Sequence, residues 1–125
     1  MRVSQINHCA FCIDINSATL QKRGVSDEKI DALADWRASN LFDAGERLAL
    51  EWAEAMTLNT VDDALRARLK TLWSEDAIVE LTGLVAFQNL SSKFNAALDV
   101  PAQGFCRMPD PGLAQGLKTT SSAAI

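Results

Sequence analysis

Apolar residues recur along this chain at spacings of three and four, the period of helices with one buried face. Val3, Ile6, Ala10, Ile13, Ser17 and Leu20 mark one stripe over residues 2–22. Cys9, Cys12 and Asn16 form a second stripe along its edge. His8 lies farther round, and Asp14 falls on the opposite side. Asn7 is placed to break the pattern and to cap a new helix, because its side chain can accept from a backbone N–H two or three residues on. Cys9 would then sit in the first turn. Gly24, after Lys22 and Arg23, ends the segment.

The same period continues. Ser26-Asp27-Glu28 caps a helix whose apolar face is Ile30, Leu33 and Trp36. Asn40 to Asp43 reads as a connection, with Phe42 available as a staple. A third helix is expected from about Ala44 to Met56, with Leu48, Trp52, Ala55 and Met56 inward and Arg47–Glu51 as an outer i,i+4 pair. Thr60-Val61-Asp62-Asp63 resembles a capping box and opens a helix through Val61, Leu65, Leu69 and Leu72. The last helix, about Glu75 to Leu98, reads as the most buried, because only Glu80, Thr82 and Gly83 interrupt the apolar run from Ala77 to Phe87. Pro101 ends it. No alternating, turn-bounded run suggests a strand. The expected fold is all-α, five to six helices in one domain over residues 1–106. Residues 107–125, rich in Pro, Gly, Ser, Thr and Ala, read as a mobile tail.

Composition narrows the function. The net charge is −4 with no basic cluster, which speaks against nucleic acid and anionic membranes as partners. No uninterrupted apolar stretch of membrane-spanning length occurs, and no signal-peptide pattern opens the chain. Three cysteines make an odd number, unlike a secreted disulfide framework, so a cytoplasmic setting is expected.

The chemistry concentrates in Asn7-His8-Cys9-Ala10-Phe11-Cys12. A CxxC on a helix puts two thiols on neighbouring positions, and a slight tightening of the turn allows a disulfide. A helix N-terminus favours a thiolate, and a second thiol can resolve a sulfenic acid formed on the first. That dipole argument favours Cys9 as the more acidic thiol. His8 could tune a thiol if its ring folded back. The alternative is a pair of buried structural cysteines. Zinc would need four ligands, which Cys9, Cys12, His8 and Cys106 could supply only if the C-terminal segment folded back. No metal or cofactor is therefore expected. Cys106 reads as incidental, or as a source of an intermolecular disulfide.

The stretch Ser4-Gln5-Ile6-Asn7-His8-Cys9-Ala10-Phe11-Cys12-Ile13-Asp14, followed by Lys22-Arg23-Gly24, resembles the alkylhydroperoxidase D-like proteins of the carboxymuconolactone decarboxylase superfamily. The resemblance continues through Trp36-Arg37, Glu46-Arg47-Leu48 and Glu54-Ala55 to Phe94-Asn95-Ala96-Ala97-Leu98. It implies a helical, AhpD-like bundle forming homo-oligomers (dimer, trimer or hexamer). It also implies a thiol-dependent alkylhydroperoxidase or disulfide reductase taking a hydroperoxide or disulfide substrate and electrons from a thiol donor. Carried over, Cys12 attacks and Cys9 resolves. Two positions depart from the family pattern. A histidine four residues after the second cysteine is Asn16 here, which cannot relay a proton near neutral pH. A glutamate twelve residues before the first cysteine would precede Met1. Glu80 is the candidate to replace that carboxylate, and Asn16 the candidate to hydrogen-bond the thiol. Two other functions remain open at this level: a redox-responsive or structural helical oligomer with little turnover, and the lactone decarboxylase chemistry of the superfamily's other branch, which does not depend on a CxxC.

Overall fold

The computed structural model describes residues 1–106, and every regular element in them is helical. The expected tail, 107–125, lies outside the described residues. In order, the elements are α1 (Arg2–Ile6), α2 (Ala10–Lys22), α3 (Asp27–Asp31) with a 3-10 turn (Ala32–Asp35), α4 (Ala44–Leu58), α5 (Asp63–Leu72) and α6 (Glu75–Ala97). No helix among the described residues is long and apolar enough to cross a membrane.

The break near Asn7 is real, but its chemistry differs from expectation. Asn7 ends α1 rather than capping α2. His8 takes the left-handed conformation at φ 52°. Its N–H donates to Gln5 O at 3.2 Å, and the Cys9 N–H donates to Ser4 O at 3.0 Å. This crossed pair of bonds is a Schellman turn, which satisfies the last carbonyls of a helix and needs one left-handed residue. Cys9, the next residue, is extended and caps α2 with its own sulfur. Thus five residues after α1 begins to close, the chain has turned and started α2 with no loop between.

One other cap corrects the sequence reading, and a further one adds to it. Asp62, not Thr60, caps α5 by accepting from the Leu65 N–H at 2.8 Å. Asp43 and Glu46 form a reciprocal capping box at α4. The expected Arg47–Glu51 pair does not form. Arg47 instead donates to the Phe42 and Ser39 carbonyls and lies over the Trp36 ring, while Glu51 pairs with Arg68 of α5. Backbone carbonyls of the connection are fixed acceptors, so Arg47 ties down the loop rather than neutralising a neighbour on its own helix.

The core lies where α4 meets its neighbours. Leu48, Trp52 and Ala55 of α4 pack on Leu65 and Leu69 of α5. Val3, Ala53 and Val85 join α1, α4 and α6. Leu33, Trp36 and Phe42 fold the connection under α4. Each such aliphatic or aromatic side chain contributes roughly 1.5–3 kcal/mol by leaving water.

The largest departure from expectation is α6. Although it reads as the most buried helix, only Val85 and Ser92 are buried. Val79, Leu84, Phe87, Leu90, Phe94 and Leu98 are each 63–70% exposed. The helix packs on α1, α2, α4 and α5 through one narrow face, and the rest of its apolar girth has no partner among the described residues.

After α6, residues 99–106 turn back across α2. The buried Asp14 carboxylate holds this strap, accepting from the backbone N–H groups of Gln103, Phe105 and Cys106 at 2.8, 3.0 and 2.7 Å. Burial alone would push the Asp14 carboxyl up, but the N–H groups of Cys106, Phe105, Gln103 and Gly104 together hold it below its ordinary range. The Phe105 ring meets Phe11 edge to face at 6.3 Å. The sequence position of Asp14, opposite the cysteines, therefore serves a tertiary cap.

Candidate active site

Cys9 and Cys12 occupy the first turn of α2 and are almost fully enclosed, at 0% and 1% exposure. Both are free thiols. The Cys12 backbone N–H donates to Cys9 Sγ at 3.1 Å, so Cys9 fills the cap position that Ser, Thr, Asp or Asn usually takes. Burial pushes the Cys9 thiol up, and contact with the Cys12 side chain pushes it further in the same direction. The simple dipole argument named Cys9 as the thiolate. Enclosure and a neighbouring sulfur outweigh the helix terminus, and Cys9 stays protonated.

Cys12 faces α6. Asn95 Nδ2 lies 3.6 Å from Cys12 Sγ, and Ser91 Oγ lies 3.8 Å from it. Asn95 is itself fixed, because its amide also donates to the Ser91 carbonyl at 2.9 Å. The Cys12 sulfur thus meets an amide N–H and a hydroxyl of α6.

A wider polar network of amides and hydroxyls surrounds this pair. Asn7 Nδ2 donates to Asn89 Oδ1 and Ser92 Oγ at 3.0 and 2.8 Å. Asn16 Nδ2 and Gln88 Nε2 both donate to Ser4 Oγ at 3.0 Å. Ser4, fully buried, also accepts the Cys9 N–H through its carbonyl. Amides and hydroxyls on α1, α2 and α6 are therefore interlocked around the dithiol, and no buried side-chain polar atom among the described residues lacks a partner.

The residues singled out from the sequence divide accordingly. Cys9 and Cys12 come together. Asn16 lies one link away: it binds Ser4 rather than a sulfur. His8 is exposed, its ring makes no hydrogen bond among the described residues, and its backbone serves the turn. Glu80 is exposed on α6, eleven residues and roughly 16 Å along the helix from Ser91. That distance keeps it from reaching the cysteine pair. Cys106 sits beside α2's far end, its Sγ 3.6 Å from Gln21 Oε1. The four candidate zinc ligands thus do not converge, and no group of three or more potential ligands occurs among the described residues. Ser91 and Asn95 were missed. Their signal was present as Gln88, Ser91, Ser92 and Asn95, a polar stripe at helical spacing in an otherwise apolar segment.

The conformation of His8 yields a direct prediction. A non-glycine residue in the left-handed region costs about 1 kcal/mol. His8→Gly should raise stability by about 0.5–1 kcal/mol in urea denaturation, and thiol alkylation rates should stay within about twofold of wild type, since no ring contact is lost. A large fall in those rates would mean that the imidazole tunes the site after all.

Comparison with known sequences agrees with the motif. Residues 1–55, which carry α1, the cysteine pair and most of α4, match the model of the carboxymuconolactone decarboxylase family. The chain is 51% identical over 111 residues to the uncharacterized protein YnjA of Escherichia coli (strain K12), covering 87% of this chain and 61% of that protein. It is 32% identical over 101 residues to the uncharacterized protein YdfG of Bacillus subtilis (strain 168), covering 78% of this chain and 69% of that one. The chain thus spans about three fifths of the first relative's length and about two thirds of the second's. With the dithiol turn inside the matched segment and an all-helical fold around it, the chain belongs to the carboxymuconolactone decarboxylase family.

Proposed function

We propose that this chain is a dithiol oxidoreductase that reduces hydroperoxides, with Cys12 attacking and Cys9 resolving. One observation carries the reading: two free, enclosed thiols share a helix turn, and among the described residues Cys12, not Cys9, is met by polar side chains of another helix, the Asn95 amide and the Ser91 hydroxyl. The Cys12 thiolate attacks the outer peroxide oxygen, breaking the O–O bond. Sulfur is oxidised to a sulfenic acid, and the alkoxide leaves and takes a proton to become the alcohol. Cys9 sulfur then attacks the sulfenic sulfur, losing its proton as water departs, and the disulfide forms. An external dithiol restores both thiols. Alkyl hydroperoxides suit the enclosed, largely uncharged surroundings.

Asn95 and Ser91 are the supporting donors. Asn95→Leu should slow the reaction of Cys12 with peroxide about tenfold, the worth of one hydrogen bond to a charged sulfur. The check is a second-order rate constant with cumene hydroperoxide. An unchanged rate would remove Asn95 from the account.

Enclosure of the pair favours a second reading, in which the thiols respond to oxidation without sustained turnover. Steady-state consumption of cumene hydroperoxide in the presence of a dithiol reductant separates the two. Multiple turnovers per chain support the oxidoreductase, and a single turnover supports the redox-responsive protein.

A further inference from the structure

α2 and α6 pass each other in opposite senses, and the groove between them continues beyond the thiols. At one end Cys12 meets Asn95 and Ser91. One turn farther along α2, and one turn back along α6, Asn16 and Gln88 both donate to Ser4 Oγ. Past these two amides lies a cavity of about 390 Å³, inside the ~300–1,000 Å³ range of small-molecule pockets. Asn16 and Gln88 line it, and its other walls are largely apolar, with Leu20 of α2, Ala49 of α4, and Leu81 and Leu84 of α6. Arg2 and Arg23 also reach it. Arg2 is committed to Glu54. Arg23, exposed at the end of α2, has no carboxylate partner among the described residues.

We propose that this cavity binds the acyl chain of a long-chain carboxylic acid, with the carboxylate on Arg23 at its mouth. Apolar walls reject a buried charge, and an unpaired cation at the rim attracts one. Together they select a ligand with an apolar body and a single anionic end. Arg23 lies eleven residues from Cys12, roughly 16 Å along α2, which is the span of an extended acyl chain rather than of a compact aryl group. A hydroperoxide carried on such a chain meets the thiol from the Asn16–Gln88 end. Asn16 is four residues from Cys12, roughly 6 Å of helix rise, so an amide that turns from Ser4 to the peroxide holds it one turn from the sulfur. The peroxide half of this inference rests on the proposed redox chemistry: Cys12 breaks the O–O bond, a hydroxy acid leaves, and the external dithiol supplies the electrons. The binding half does not depend on it.

Binding is measured on the whole chain carrying Cys9→Ser with Cys12→Ser, which removes thiol chemistry. Isothermal titration calorimetry with dodecanoic acid, below its micellar concentration, should show one molecule bound per chain. Adding Arg23→Gln should weaken dodecanoate about fivefold, the worth of one solvated ion pair, and leave dodecanol unchanged. Adding Ala49→Phe, which fills the cavity, should weaken both at least about tenfold, with circular dichroism as the check on folding. Absence of binding would overturn the site. Binding indifferent to Ala49→Phe would place the chain elsewhere, such as the exposed face of α6, and overturn it as well. An acid and an alcohol that respond alike to Arg23→Gln would overturn the carboxylate contact. In the dithiol protein, linoleic acid hydroperoxide should oxidise the pair at least about tenfold faster than tert-butyl hydroperoxide, because the bound chain contributes at the transition state. Equal rates would overturn the link to Cys12. Failure of both peroxides with dodecanoate still bound would sink the redox reading and support the binding site by itself.

Discussion

Glu54→Ala is expected to destabilise the fold by about 3 kcal/mol, one of the two largest effects of a single substitution in this chain. Glu54 is a buried carboxylate on α4. Its Oε1 accepts from Arg2 Nε at 2.7 Å and Trp36 Nε1 at 2.9 Å, and its Oε2 accepts from Arg37 at 2.5 Å. One side chain thus joins α1, the turn after α3 and α4. The contributions are unequal. Arg37 is 58% exposed and would recover its hydration, whereas Arg2 and the indole N–H lie in a half-closed or closed setting and would lose their partner. Chemical denaturation of wild type and variant measures the difference.

The same residue sets a pH dependence. Burial pushes the Glu54 carboxyl up, but hydrogen bonds from Trp36, Arg2 and Arg37 outweigh it and hold the group below its ordinary range. A depressed folded pKa means that the unfolded chain binds the proton more readily. The stabilisation is complete above the unfolded value of about 4.3 and is lost as pH falls through the folded value. The gap between wild type and Glu54→Gln should therefore be widest near neutral pH and narrow in acid. A gap independent of pH would contradict the ionised state assigned to Glu54.

The second large effect concerns the two sulfurs, which should fail in different ways. Cys12→Ser should reduce peroxide reactivity at the motif to the background of an ordinary thiol, because the attacking sulfur is gone and burial still pushes the Cys9 thiol up. Cys9→Ser should keep the first step, since the donors Asn95 and Ser91 still meet Cys12. It should then stop at the sulfenic acid, which further peroxide oxidises. A dimedone-type trap read by mass spectrometry distinguishes these outcomes. Trapping at residue 9 in the Cys12→Ser protein, at the wild-type rate, would reverse the assigned roles.

The sequence made some features legible and hid others for physical reasons. Helices were readable because apolar positions repeat with the helical period, and the short turns were readable from Asn7, Gly24 and Pro101. The cap of α2 was not, since cysteine is an unusual cap and periodicity does not distinguish a capping side chain from one in the first turn. The exposure of α6 was hidden because an apolar run looks the same whether its partner is the same chain or another surface. The role of Glu54 has no local signal: its partners lie 52, 18 and 17 positions away, beyond the reach of any local pattern. The cysteine pair itself was legible, while its donors, 79 and 83 positions away, depended on how α2 crosses α6.

The proposed function requires Cys9 and Cys12 to be a working redox pair. Its most direct test adds one equivalent of cumene hydroperoxide to the fully reduced protein, quenches within seconds with acid, and quantifies the Cys9–Cys12 disulfide by peptide mass spectrometry. Near-stoichiometric disulfide, forming much faster than a free-cysteine peptide reacts, is the predicted result. Thiols that remain reduced, or that oxidise no faster than the free peptide, would contradict it and leave the pair as buried structural cysteines.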